Sequence, residues 1–143
     1  MSYAATVALQ AAVYGALRDS DALADLVGDA IYDAMPVAAP AGTYVALGPE
    51  DVRDAGDMTA AGATHDFVVS VLSGTDEANG FGAVKAVAVA VSDALETASG
   101  GAAITLEPGH LVGLWFLRAR ARRAENGAGR RVDMTFRARI DLG

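Results

Sequence analysis

The chain has no cysteine. Neither a disulfide framework nor a Cys-based zinc site is therefore open to it. Imidazole is confined to His65 and His110. Basic residues are scarce through the first 117 positions, where only Arg18, Arg53 and Lys85 face 15 acids, a local charge of −12. No apolar run approaches the roughly 18 residues of a membrane span, and the mean hydropathy of +0.28 comes largely from alanine. The first residues lack the basic start of a secretory signal. These absences lead us to expect a soluble protein made and kept in a cytoplasm, without membrane partner, metal or cofactor. At 143 residues one domain, 1–143, is expected, large enough to bury roughly 68% of its unfolded surface without covalent staples.

What the first 117 residues lack, the last 26 supply: eight arginines against three acids, a charge of +5. They belong to a hairpin pattern. Residues 111–123 and 130–142 alternate apolar and charged positions about Asn126-Gly127, a dipeptide suited to the positive φ angles of a type I′ turn. Pairing outward from that turn sets Glu125 opposite Ala128, Ala119 opposite Met134, Leu117 opposite Phe136 and Trp115 opposite Ala138. One face then holds Leu111, Trp115, Leu117, Val132, Met134, Phe136 and Ile140, with Trp115 expected in the core. The other holds Arg118, Arg120, Arg122, Arg131, Arg137 and Arg139, offset by Asp133 and Asp141. A slip of one residue would mix the two sets, so the pattern fixes the register. Arg122 falls opposite Arg131, a destabilising pairing unless an anion intervenes. Three readings of this face stand: a solvated edge, a subunit interface, or a surface lining a DNA channel, since guanidinium suits phosphate. A strand over 110–123 would be roughly 45 Å long. A two-stranded ribbon of that length is marginal alone in water, which favours support from a neighbouring copy. The opposed charges of the two regions also suit head-to-tail contacts between copies.

Upstream, residues 3–18 read as a helix capped by Ser2, with Leu9, Val13 and Leu17 on one stripe. Ser20 can cap a second short helix carrying Leu23, Leu26 and Val27 and ended by Gly28. Ile31-Tyr32 begins an extended piece, and Thr43–Leu47 reads as a strand. Residues 48–64 look like a long acidic loop carrying Glu50, Asp51, Asp54 and Asp57. Loops of that length in a compact domain are usually functional or mobile. His65–Leu72 reads as a strand with Phe67, Val69 and Val71 on one face. Residues 77–98 read as a helix capped by Thr75 or Asp76 and ended by Gly100-Gly101. Phe81, Val84, Ala88, Val91 and Leu95 form its apolar stripe, and Lys85, Ser92 and Glu96 lie opposite. A short strand is expected near Ile104–Leu106. The order implies an α+β domain: a mostly antiparallel sheet, two main helices on one face, and a long C-terminal β-hairpin.

Nothing in these segments assembles a catalytic site. Gly80-Phe-Gly-Ala-Val-Lys85 lacks the Gly-Lys-Ser/Thr ending of a phosphate-binding loop, and puts Lys85 where a dinucleotide fingerprint needs its third glycine. Asp21, Asp25, Asp29 and Asp33 fall four apart, unlike the alternate oxygen ligands of a calcium loop. His65-Asp66 could orient an imidazole, but no serine nucleophile has a matching local motif.

The succession of pieces carries more. An N-terminal helix leads to Leu23-Ala-Asp-Leu-Val-Gly28, then Ile31-Tyr-Asp-Ala-Met-Pro36, then Tyr44-Val-Ala-Leu-Gly48. A variable acidic stretch follows, then a strand into Leu72-Ser73, an Ala/Val helix ending in Asp93-Ala-Leu95, and the Arg-rich hairpin. This order resembles the tail-completion or tail-terminator proteins of long-tailed bacteriophages and of alphaproteobacterial gene transfer agents. One departure is Thr43, where the family often has proline. The resemblance implies a structural, non-catalytic protein forming a ring, usually of six subunits, at the head-proximal end of the tail. One side of that ring would bind the tail-tube protein and stop its growth. The other would dock the head–tail connector, double-stranded DNA would cross the hole, and the 48–64 loop would project toward that lumen or toward a docking partner, ordering only on assembly. Two alternatives are a stand-alone nucleic-acid-binding module using the arginine face, and a small enzyme or ligand-binding domain.

Overall fold

The computed structural model describes residues 3–58, 60–75, 81–99, 106–123 and 129–143. Its elements run α1 (Thr6–Arg18), α2 (Asp21–Val27), β1 (Ile31–Tyr32), β2 (Tyr44–Asp54), β3 (Gly62–Leu72), α3 (Gly82–Ser99), β4 (His110–Arg123) and β5 (Arg130–Asp141). The five strands form one sheet in the order β1-β2-β3-β5-β4, antiparallel except for the short β1–β2 pair. The expected α+β architecture is the one observed.

The helices form where their apolar spacing matches the helical period. Leu9, Val13 and Leu17 are buried from α1; Val84, Val87, Ala88, Val91 and Leu95 are buried from α3. Both stripes pack on one sheet face against Val45, Val69, Val71, Val132, Met134, Phe136 and Ile140. Phe136 is fully buried, with the Phe67 ring stacked at 5.7 Å and the Phe116 ring edge-on at 5.8 Å. Ser20 caps α2, its hydroxyl accepting the Leu23 N–H at 3.2 Å. Gly28 ends that helix at a φ of 59°, a conformation glycine adopts without steric cost. Helix α1 starts later than expected. Its N-cap is Ala5, with no side-chain cap, and Ser2 lies outside the described residues, as do Asp76, Gly100-Gly101, Ile104 and the Asn126-Gly127 turn. Leu106 is buried but not in a strand.

The stretch 48–64 is not a long loop. Strand β2 runs on to Asp54 and β3 starts at Gly62, paired from Asp54↔Ala63 up to Glu50↔Phe67. Glu50, Asp51 and Asp54 are strand residues, and Asp57 sits in the short connection, its carboxylate accepting the Ala60 N–H at 2.9 Å. Gly48-Pro49 misleads because proline removes a ladder donor. Here it falls at the register shift between Leu47 and Glu50, on a strand whose outer neighbour β1 reaches only Ala46. A bulge on an open edge is where proline is tolerated in a sheet.

The C-terminal hairpin follows the expected register only in its outer half. Arg123↔Arg130 through Arg118↔Thr135 hold it, then a shift at Leu117 moves the pairing to Phe116↔Phe136, Trp115↔Arg137 and Leu114↔Ala138, and a second shift at Val112 gives Leu111↔Ile140. Trp115 is consequently turned out of the core and half exposed, while Leu114 takes the buried position. Nor is the hairpin a free-standing ribbon. Strand β5 pairs with β3 from Gly62↔Asp141 to Leu72↔Arg131, so Phe67, Val69 and Val71 of β3 extend its apolar face. The hairpin therefore needs no neighbour to support its length.

Candidate functional site: the arginine-bearing sheet face

With α1 and α3 covering one side of the sheet, strand alternation sends the odd-numbered residues of β5 to the other. Arg131, Asp133, Thr135, Arg137, Arg139 and Asp141 alternate there with buried Val132, Met134, Phe136, Ala138 and Ile140. Beyond the bulge, Arg118, Arg120 and Arg122 of β4 join the same side, opposite Thr135, Asp133 and Arg131. Pro49, Val68 and Ser70 complete a shallow trough of about 470 Å³. All six arginines expected on one face are on it.

Two acids organise most of that charge. Asp133 accepts from Arg131 (Nε at 3.1 Å, Nη2 at 2.8 Å), from Arg122 Nε at 3.3 Å, and from the Ser70 hydroxyl at 2.7 Å. It thus lies between Arg122 and Arg131, the like-charged pair that would otherwise meet across the ladder. Burial alone would push its carboxyl up, but Arg131, Ser70 and Arg122 together hold it below the usual carboxylate value. Asp66 takes a two-pronged contact from Arg137 at 2.8 and 3.0 Å, with Arg53 at 3.7 Å. The Arg137 hydrogen bonds hold Asp66 below its ordinary value. Sequence reasoning missed Asp66 as a partner, although the β3–β5 register places it directly opposite Arg137. Arg139 donates to the Ala55 carbonyl at 2.8 Å and lies 3.6 Å from Asp141.

The face is therefore less unsatisfied than its sequence suggested. Four of its six arginines are ion-paired within the chain, sharing Asp66, Asp133 and Asp141. Arg118 and Arg120 have no ion pair among the described residues. Beside them β4 exposes Trp115, Phe116 and Leu117 at 49%, 45% and 42%. The Trp115 ring lies along Gly113, where any Cβ would come within 2.6 Å of it. The chemical capacity here is to hold anionic or carboxylate-rich surface beside an apolar rim. No trio of His, Asp or Glu side chains is arranged to hold a metal among the described residues.

On the opposite face His65 is fully buried, its Nδ1 3.4 Å from Glu50 Oε2, and Thr6 donates its hydroxyl to the other Glu50 oxygen. Glu50 thus ties α1 to the sheet. Asp51, by contrast, lies on the arginine face, opposite Asp66 on β3.

A sheet with helices on one face and a charged, shallowly troughed opposite face bordered by exposed Trp115, Phe116 and Leu117 presents a broad surface for contact. The profile of one family, described as Tail completion protein gp17, matches residues 11–141; the chain belongs to that family of structural tail proteins. Among solved structures, a chain from the virion of a native gene transfer agent particle is 58% identical, with a TM-score of 0.85, covering 98% of this chain and 99% of its own. No curated protein matches significantly.

Proposed function

We propose that this chain is a structural subunit of a phage-like tail that assembles into a ring on the head-proximal end of the tail tube. In this reading six copies close the ring, one side stops tube growth and the other docks the head–tail connector. Double-stranded DNA passes through the hole. The observation that carries the proposal is the 58% identity, over nearly the full length of both chains, to a component of a gene transfer agent virion. The geometry is consistent with it: Arg118 and Arg120, unpaired within the described chain, serve as assembly contacts rather than as a phosphate-reading surface. A net charge of −7 opposes free DNA at long range, which disfavours a stand-alone nucleic-acid module.

The test is genetic and structural. Particles made without this chain should carry tubes of irregular length unattached to heads, and electron microscopy of the purified protein, alone or on tube ends, should show rings. Normal tails joined to heads in its absence would refute the proposal. A DNA-binding module would instead bind duplex tightly and lose affinity steeply with salt.

A further inference from the structure

We infer that the free rim of β4 docks into a groove in the helix layer of a second copy of this chain. The inference rests on the ring reading above and names the surfaces that would make the ring.

The rim is Trp115-Phe116-Leu117 followed by Arg118 and Arg120. Three consecutive large apolar side chains, all more than 40% exposed, lie on the sheet's edge strand at the point where the bulge splits them between faces. Contiguous exposed apolar surface of this kind marks an interaction site, and an edge strand offers unpaired backbone beside it.

The groove lies on the helix layer, away from the rim. It has a volume of about 560 Å³ and a floor of Ala12, Gly15 and Ala16 from α1 and Ala90 and Ala94 from α3. Asp19 and Asp93 stand on its rim, both exposed and neither in an ion pair among the described residues, and no basic residue lines it. Gly15 opens onto it: a Cβ there would meet nothing within 4 Å.

The two surfaces complement each other twice: apolar rim to apolar floor, and guanidinium to carboxylate, each without an ion pair among the described residues. Two acids on an apolar groove repel nucleic acid, and this chain itself carries the basic, apolar counterpart. A second copy is therefore the occupant. Rim and groove are different patches, so the contact is head-to-tail, the kind that generates a ring when its rotation closes.

The chain's lack of cysteine makes disulfide trapping clean. Leu117→Cys and Ala16→Cys proteins, mixed and oxidised, should give a mixed dimer more abundant than either self-linked dimer. Gly15→Trp, which plugs the groove, should melt no lower than the wild type and lose association by roughly 30-fold, the effect of a hot-spot change. Arg118→Glu with Arg120→Glu should weaken association similarly, and adding Asp19→Arg and Asp93→Arg to that chain should restore it. Rings formed normally by Gly15→Trp, with no mixed disulfide and no charge-swap rescue, would overturn the rim-and-groove contact while leaving the ring reading intact. Failure of the wild-type chain to form any ring, alone or on tube ends, would overturn both.

Discussion

Asp133→Asn tests how the chain neutralises its arginine face. The carboxylate holds Arg131 through two nitrogens, Arg122 through one, and the Ser70 hydroxyl, with its side chain 20% exposed. A hydrogen bond to a charged group contributes about 1.5–3 kcal/mol when well shielded, whereas an exposed ion pair contributes under about 1 kcal/mol. The Arg131 contact, 20% exposed on both sides, falls between these; the Arg122 contact, 39% exposed on the arginine side, is near the lower bound. The amide also leaves Arg122 and Arg131 facing each other without an anion. Together these give a loss of about 2 kcal/mol at pH 7, or about 4–8 °C in Tm at this chain length. The pH dependence has a fixed sign. Asp133 is held below the unfolded value of about 3.9, so its contribution is complete well above that value and disappears as the pH falls through the folded one. Urea unfolding followed by circular dichroism should show a gap between wild type and variant that is full above about pH 5 and closes below about pH 4. A variant within about 0.5 kcal/mol of wild type at pH 7, the range of an ordinary surface substitution, would refute the argument, as would a gap unchanged in acid.

Three further substitutions probe the scaffold. Phe136→Ala removes the fully buried ring between Phe67 and Phe116 and should cost about 3–5 kcal/mol in denaturant unfolding. Gly15→Ala, in the interior of α1 with open space at its Cβ, should raise stability by about 0.5–1 kcal/mol, read as a higher Tm. Gly74→Ala would drive a Cβ into the Ala41 and Gly42 carbonyl oxygens; a loss of about 1–3 kcal/mol is expected from that overpacking, measured in the same unfolding assay.

The parts of the fold legible in the sequence are those where a side-chain period runs uninterrupted against a single buried face. Leu9, Val13 and Leu17 keep helical spacing, Phe67, Val69 and Val71 keep strand spacing, and all six are buried as expected. The six arginines were legible for the same reason. Their partner Asp66 was not, because it comes from a strand 71 positions away, and only the β3–β5 register brings it opposite Arg137. Gly48-Pro49 hid the second half of β2 because a proline in a strand is readable only when one knows that the strand is an open edge.

Trp115 is the instructive failure. From Arg122 back to Arg118 the chain alternates arginine with alanine, and there the expected register holds. Leu114-Trp-Phe-Leu117 has no alternation at all, so it carries no information about which residue faces the core. A bulge can be inserted into such a run without exposing a charge to the interior or burying one. That is why the register slips here and not among the arginines, where a slip of one would drive guanidinium groups toward Met134 and Val132. Gly113 held the missing signal. Two residues from Trp115 on the same face, it leaves the space into which the indole folds, and a core-facing Trp115 would have needed no such gap. The same run that defeats the period leaves apolar side chains on both sides of an edge strand, more than one chain's core can cover. The place where the alternation gives out is thus also where a partner surface should be sought.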